Sequence, residues 1–170
     1  MDITIDTSQL TALVDLWNQS PEIAGQEMFR AATEIDLLIQ GELMQVMPRG
    51  AGGLHGAGLT GAVFHQEQLL TDGVTGMVAT SQPYAEYVEV GTKPHAPPIQ
   101  PLKDWVEAKL GIRGEEAMGV AFAISRTIAK RGTRAQPVWQ QTYQRLIPTI
   151  QAKLDEGLAR IQARLVGGAA

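Results

Sequence analysis

The spacing of apolar residues predicts a long amphipathic helix in the first half of the chain. Over residues 22–47 apolar side chains recur every three or four positions, which places them on one face of a helix. Ser20-Pro21 just ahead of this segment is typical of a helix start, and Pro48 is expected to end it. A shorter leucine-rich helix precedes it, and residues 18–21 are expected to separate the two helices.

Alternation of polar and apolar residues predicts a small antiparallel sheet. Residues 62–68 and 74–80 are strand-like, and Thr71-Asp72-Gly73 between them has the composition of a tight turn. Residues 2–6 also alternate and contain β-branched side chains, so they are predicted to add a third strand. The long helix is expected to cover one face of this sheet.

The second half of the chain is predicted to be helical after residue 101. Helical spacing occurs over 102–110, 115–130 and 136–166, and Gly111 and Gly132 are placed to end the first two of these helices. The predicted fold class is therefore α+β, with a small antiparallel β-sheet packed by a long N-terminal helix and with additional C-terminal helices.

Length and composition favour one folded domain. The chain has 170 residues, of which 44% are hydrophobic and 19% charged, and this is enough to bury a core. No cysteine is present, which excludes disulfides and thiolate chemistry. No apolar run approaches the ~20 residues of a membrane span, and the acidic start does not resemble a signal peptide. We predict a single domain over 1–170, with a flexible glycine-rich loop at 49–61 and a helical C-terminal part at 102–166.

A stiff connector is predicted between the sheet and the C-terminal helices. Residues 82–102 read QPYAEYVEVGTKPHAPPIQPL. The first part fits a short amphipathic element, Gly91 suits a stop that needs positive φ, and four prolines hold the following residues extended. A proline-stiffened loop with Tyr84, Tyr87 and Val90 at its base suits presentation to a partner better than it suits catalysis.

The same segment resembles a known protein family. Its Tyr-Ala start, its Glu-Val-Gly-Thr run and the prolines that follow resemble the core signature of tailed-bacteriophage neck and tail-completion proteins of the minor tail protein Z type. Met47-Pro48 with Leu59-Thr60-Gly61 resembles a second element of that family. Gln136-Pro137-Val138-Trp139 resembles a third, with Val-Trp in place of Phe-Leu. A Mu-like virion morphogenesis protein is the neighbouring alternative.

This resemblance implies a structural function in virion assembly. Such a protein is expected to act at the neck or head-proximal tail end of a phage or prophage virion, in tail completion and head–tail joining, after assembly in the host bacterial cytoplasm. Its implied partners are further copies of itself, in a ring, and other neck and tail proteins, with no membrane and no small-molecule substrate. The alternative that stays open is a small soluble binding protein or hydrolase with an unrecognised site.

Charge is distributed unevenly along the chain. The net charge is −10 over residues 1–125 and +6 over 126–170, which favours head-to-tail contact between copies or a non-specific contact of the basic end with DNA. The alternative is that each charge only solvates its own surface. The predicted partner interface combines aromatic, acidic, connector and basic residues: Tyr84, Glu86, Tyr87, Glu89, Val90, Gly91, Thr92, Lys93, Arg126, Lys130, Arg131 and Arg134.

The sequence contains no recognisable catalytic, cofactor or metal motif. His55, His65 and His95 are far apart in the chain and lack the i, i+4 spacing of helical metal ligands. Gly56-x-Gly58-x-x-Gly61 matches the dinucleotide fingerprint by letter, but a helix precedes it and a strand-like segment follows it, which is the reverse of the required order. We therefore expect no enzyme activity, no cofactor and no metal.

Overall fold

The computed structural model describes residues 8–48 and 58–167 of the chain. Within them lie five α-helices and one antiparallel pair of strands. In chain order these are α1 (Ser8–Val46), β1 (Val63–Leu70), β2 (Gly73–Thr80), α2 (Ala85–Val90), α3 (Ile99–Leu110), α4 (Gly114–Arg131) and α5 (Val138–Gly167). A single 3₁₀ turn, Thr60–Ala62, leads into β1. The predicted α+β class is confirmed.

The first helix is continuous where two helices were predicted. α1 runs for 39 residues with Pro21 inside it, so the predicted break at 18–21 and the helix start at Ser20-Pro21 are wrong. A proline removes one N–H donor and strains one turn, at a cost of about 3 kcal/mol, but the neighbouring turns keep their hydrogen bonds. The predicted end is confirmed, since α1 stops at Val46, two residues before Pro48.

The hairpin agrees with the sequence pattern. β1 and β2 are adjacent and antiparallel, and Thr71-Asp72 connects them. The predicted third strand, residues 2–6, lies outside the described residues. Most of the loop predicted at 49–61 lies outside them as well. In its described part, Leu59 is buried in the core.

Contacts between Cα atoms divide the chain into two compact units. Unit 1 comprises Met1–Leu38, His65–Met77 and Leu146–Ala170, and unit 2 comprises Ile39–Phe64 and Val78–Arg145. α1, the hairpin and α5 each contribute residues to both units. The division therefore does not decide whether the chain folds as one domain, and the single domain over 1–170 stays a prediction.

In unit 1, two ion pairs join α5 to α1. The carboxylate of Glu27 accepts hydrogen bonds from Arg164 Nη1 at 3.0 Å and from Arg160 Nε at 2.9 Å. These two bonds, that of Arg164 foremost, hold the pKa of Glu27 below its usual value. Further along, Gly157 allows α5 to approach the side chain of Ala31 closely. The two arginines thus fix the position of α5 along α1.

The same unit buries a second carboxylate, that of Asp36. Asp36 on α1 is only 5% exposed and faces the hairpin, where the backbone N–H of Met77 donates to it. Within the described part of the chain, its Oδ2 has no hydrogen-bond partner. Burial, and next the nearby carboxylate of Glu67, raise the pKa of Asp36. Folding therefore makes the charged form of Asp36 less favourable than it is in the unfolded chain.

Replacing Asp36 by asparagine is expected to stabilise the protein at neutral pH. A raised pKa means that the stability contributed by Asp36 is fully present below its unfolded pKa of about 3.9 and is lost as pH rises through the native pKa. Asparagine keeps an acceptor for Met77 and removes the buried charge, for an expected gain on the order of 1 kcal/mol, or about 2–4 °C in Tm. Thermal unfolding of Asp36→Asn at pH 7 and pH 4 checks this.

The gain for Asp36→Asn should be larger at pH 7 than at pH 4, because only the charged form is disfavoured. The exposed Asp155, in the middle of α5, provides the matched control, and Asp155→Asn should change Tm little at either pH. A lower Tm for Asp36→Asn at pH 7 would contradict the prediction.

The core of unit 2 is formed by α1, the 3₁₀ turn, the hairpin and the first turn of α5. Leu43, Met47, Leu59 and Val63 are buried together. The partly buried residues that pack around them are Ile39, Val78, Ala85, Val88, Val138 and Trp139. This core fixes one face of α2, and it leaves the opposite face of α2 outside.

The helices after the connector begin and end close to the predicted positions. α3 begins at Ile99, so the predicted start at Leu102 is wrong by three residues. Pro101 is compatible with the first turn of α3, because backbone N–H groups in a first turn have no acceptor within the helix and a proline there removes no helical hydrogen bond. α3 packs against α4 through the fully buried Val106, Ala117 and Ala121. None of the described helices has both the length and the apolar character needed to cross a membrane.

Candidate functional site

Two Gly-Thr pairs meet at the centre of the predicted interface. Gly91-Thr92 follows α2, and Gly132-Thr133 follows α4. Thr92 and Thr133 form an antiparallel bridge in which the backbone N–H of each donates to the carbonyl oxygen of the other, at 3.2 Å. Their hydroxyl oxygens lie 3.0 Å apart, within hydrogen-bonding distance. We call these four residues the Gly-Thr clasp.

Both positions next to the threonines require glycine. Gly91 has φ 74° and Gly132 has φ 72°, in the region that side-chain-bearing residues avoid. A Cβ on Gly132 would overlap the carbonyl oxygen of Thr92, and a Cβ on Gly91 would lie 2.8 Å from the backbone nitrogen of Ala135. The sequence-based expectation of positive φ at Gly91 is confirmed, and close backbone approach adds a second reason for glycine.

Glu89 has a partner that the sequence did not predict. Its Oε2 accepts from the backbone N–H of Trp139 at 3.0 Å, and its Oε1 accepts from that of Gln140 at 2.9 Å. These amides belong to the first turn of α5, whose donors have no partner inside the helix. The negative charge also favours the positive end of the helix dipole. Glu89 therefore caps α5 from the last turn of α2.

The Glu-Val-Gly-Thr run thus acts as a structural joint. Val88 accepts at its carbonyl from the backbone N–H of Gln136 at 2.8 Å, Glu89 caps α5, and the clasp joins the two chain segments. One indication of the Glu89 cap was present in the sequence. Gln136-Pro137, just before α5, contains none of the usual capping residues Ser, Thr, Asp and Asn, so a side chain from another part of the chain was needed to accept from the first-turn amides. Glu86 remains the exposed acid on α2.

The proline connector is held at both ends. It follows the clasp at one end, and the buried hydroxyl of Ser125 on α4 donates to the carbonyl of Pro97 at 3.4 Å near the other. Between these points Lys93, Pro94, His95 and Ala96 are exposed, and the segment is neither helix nor strand. The predicted extended connector therefore presents its residues on a fixed base.

The outward face of α2 is apolar. Tyr84, Tyr87 and Val90 are 42%, 59% and 66% exposed, whereas Ala85 and Val88 pack against the core. The three exposed side chains follow each other at spacing i, i+3, i+6, which places them in one row along the helix. Contiguous exposed apolar side chains on a small surface are typical of a protein interaction site.

The predicted basic residues are exposed around the clasp. The Thr92–Thr133 bridge places Lys93 beside Gly132 and Arg134 beside Gly91, and Arg131 and Lys130 end α4 just before it. Arg126 lies one turn earlier on α4. In the described part of the chain none of these five forms an ion pair. All twelve residues of the predicted interface thus belong to unit 2, and Lys93, Arg131 and Arg134 cluster beside α2.

A second surface, in unit 1, was missed by the sequence reasoning. α1 and the tip of the hairpin form an open groove of about 720 Å³. Its lining is mostly apolar: Pro21, Glu22, Ala24, Gly25, Gln26, Met28, Phe29, Leu69, Leu70, Thr71, Asp72 and Gly73. The sequence contained two indications of this surface, the adjacent apolar pairs Met28-Phe29 and Leu69-Leu70. Neighbouring side chains point to different faces of a helix or a strand, so burying one face leaves one member of each pair exposed.

Comparisons with known proteins do not extend this picture. The chain matched no protein-family model, no curated protein and no solved structure. Within residues 8–48 and 58–167, no three His, Asp or Glu side chains are arranged to hold a metal ion. The tail-completion resemblance and the functions that it implies stay predictions.

Proposed function

We propose that this protein is a structural virion assembly protein of a tailed phage or prophage, which associates with copies of itself, as a ring, at the neck or head-proximal tail end. One observation supports self-association most: the exposed apolar row Tyr84, Tyr87 and Val90 lies near basic side chains that form no ion pair within the described residues. The assignment to tail completion and head–tail joining comes from the sequence resemblance.

The two kinds of residue contribute differently to such an interface. Buried aromatic and branched apolar side chains supply most of the affinity of a protein interface. Exposed charges at its rim add little energy, about 0.2–1 kcal/mol each, but they steer the encounter and fix its orientation. The clasp and the Glu89 cap hold α2 in one position, so little flexibility is lost when a partner binds.

The basic cluster also fits a phosphate backbone. Lys93, Arg131 and Arg134 have no acidic partner within the described residues, and cationic side chains supply the sequence-independent part of DNA affinity. A non-specific contact with DNA at the neck is therefore a proposal that accompanies the first. A second candidate function, a small-molecule binding protein, is favoured by the groove of unit 1.

Loss of the protein is expected to abolish infectious particles without blocking the formation of heads and tails. Electron microscopy of particles made without it should show heads and tails that fail to join, or tails of faulty length. Complementation with the Tyr87→Asp variant should fail, because a charge on the apolar row disfavours burial against a partner. Phe122→Asp, at a similarly exposed position on α4 (57%), provides the matched control and should complement.

Two results would overturn the proposed function. Normal infectious particles made without the protein would refute a role in virion assembly. A clean monomer in light scattering that binds an apolar small molecule would support the small-molecule alternative instead.

A further inference from the structure

If copies meet by opposite charge, the basic cluster needs an acidic counterpart, and α2 supplies a single free acid for it. Glu89 is committed to capping α5, which leaves Glu86 as one exposed acid on the same element as the apolar row. Elsewhere in the described residues, the groove of unit 1 combines an apolar lining with Glu22 and Asp72, and its two charged lining residues are both acidic. Charge and polarity there complement the α2 surface.

We propose that the groove of unit 1 in one copy receives the outward face of α2 from a second copy. This inference rests on the proposed self-association and names the two surfaces that meet. The groove contributes Met28, Phe29, Leu69 and Leu70, each at least 40% exposed. The second copy contributes the row Tyr84, Tyr87 and Val90. Covering these seven side chains removes exposed apolar area from both surfaces, which is the main driving force for association.

The shapes of the two surfaces also correspond. Apolar side chains along one face of a helix are the feature by which helices dock into apolar grooves, and Tyr84, Tyr87 and Val90 provide such a face. The six residues of α2 extend about 9 Å along the helix axis, so the row presents a compact ridge. The groove is open, about 720 Å³ in volume, and lies between a helix and a hairpin tip that keep their own hydrogen bonds. Docking therefore needs no refolding of either surface.

Charge sets the orientation of the docked helix. Lys93 comes three residues after the end of α2 and Arg134 lies beside Gly91, so positive charge lies near the C-terminal end of the apolar row. Glu22 and Asp72 lie at opposite walls of the groove, on α1 and at the hairpin turn. Attraction between the basic and the acidic side chains steers the encounter of the two surfaces and disfavours orientations that bring Glu86 next to Glu22 or Asp72.

Because the two surfaces differ, the contact is heterologous unless two copies exchange it reciprocally around a two-fold axis. A heterologous contact repeated from copy to copy produces a ring when the rotation closes and an open filament when it does not. An isologous dimer, in which groove meets groove or α2 meets α2, is excluded by the proposal. This difference makes the proposal testable without knowledge of the ring size.

Disulfide trapping tests the contact directly, since the chain contains no cysteine. Leu69→Cys in the groove and Val90→Cys on α2 are purified separately, mixed and oxidised. We expect a mixed cross-linked dimer well above the yield of either variant alone. The matched control replaces Leu69→Cys by Leu158→Cys, on an exposed position of α5 in the same unit and outside the groove lining, and should give only background.

The outcomes separate this proposal from the proposed function. If wild-type protein associates in light scattering but Leu69→Cys with Val90→Cys cross-links no better than the control, the groove contact is wrong and self-association stands. Cross-links dominated by Leu69→Cys with itself indicate an isologous contact and also overturn it. A monomer at all concentrations overturns both proposals.

Charge exchange provides an independent measurement. Glu22→Lys with Asp72→Lys should weaken association at low salt, and combining these changes with Lys93→Glu and Arg134→Glu should restore part of the loss. All four side chains are exposed, so the fold should tolerate the changes. If the combined variant associates no better than the first, the two pairs of charges do not face each other.

Discussion

The Gly132→Ala variant is expected to lose about 3 kcal/mol or more of stability, the largest effect of any single methyl group in unit 2. Two costs combine there. Gly132 combines φ 72° with ψ −163°, a region that is essentially restricted to glycine, and holding a residue with a side chain there costs about 1–3 kcal/mol. The added Cβ would also overlap the carbonyl oxygen of Thr92, which is backbone and cannot rotate away. Moving the two segments of the clasp apart then weakens both Thr92–Thr133 backbone hydrogen bonds, each worth about 0.5–1.5 kcal/mol.

Two other glycines of unit 2 separate these costs. Gly111 has φ 70° but open space around it, so Gly111→Ala should lose only about 1–2 kcal/mol, from conformation alone. Gly119 lies inside α4 with nothing near its missing Cβ, so Gly119→Ala should stabilise by roughly 0.5–1 kcal/mol. Urea unfolding of the three variants measures the series. A loss for Gly132→Ala no larger than that for Gly111→Ala would show that the close approach is not needed.

The glycines illustrate how far local sequence reasoning extends. A glycine directly after an amphipathic segment predicts a stop with positive φ, and Gly91 and Gly132 both adopt it, because the requirement is set by one residue and its helix. The pairing of Thr92 with Thr133 could not be predicted in the same way. The two residues are 41 positions apart, and no local pattern records which loop meets which.

The same limit applies to α1 and to the groove. Ser20-Pro21 has every local feature of a helix start, but the chain on both sides is helical, and continuing α1 costs one hydrogen bond where a break would cost several. The groove forms because Met28 on α1 and Leu69 on β1, which are 41 positions apart in the sequence, line the same surface. The sequence showed only that each of the adjacent apolar pairs, Met28-Phe29 and Leu69-Leu70, has more apolar side chains than one buried face of its element can cover.

The predicted interface residues divide into two groups in the structure. Gly91, Thr92 and Glu89 form contacts inside unit 2, so their pattern is explained by folding. The exposed side chains, with Tyr87 and Arg134 among them, have no such internal explanation. A sequence motif is expected to combine both groups when a structural joint carries a binding surface. The residues of the joint are required by its backbone geometry, and the exposed residues are required for contact with a partner.

Glu89→Ala is expected to cost about 2 kcal/mol of stability. Its carboxylate accepts from two amides in the first turn of α5, at 3.0 and 2.9 Å, and the loss of a helix cap typically costs about 0.5–2 kcal/mol. The upper end applies because an ionised acceptor forms stronger bonds than a hydroxyl, at about 1.5–3 kcal/mol for hydrogen bonds to charged groups. Glu89→Gln keeps one acceptor oxygen and no charge, so it should fall between Glu89→Ala and the wild type.

Glu86→Ala provides the control for this prediction, because Glu86 lies on the same helix, is exposed and should change stability by less than about 0.5 kcal/mol. Urea unfolding gives the stability, and hydrogen exchange at the amides of Trp139 and Gln140 reports the cap itself. Both amides should exchange faster in Glu89→Ala and at the wild-type rate in Glu86→Ala. If Glu89→Ala instead leaves stability and exchange unchanged while weakening self-association, the carboxylate serves the contact between copies and not the start of α5.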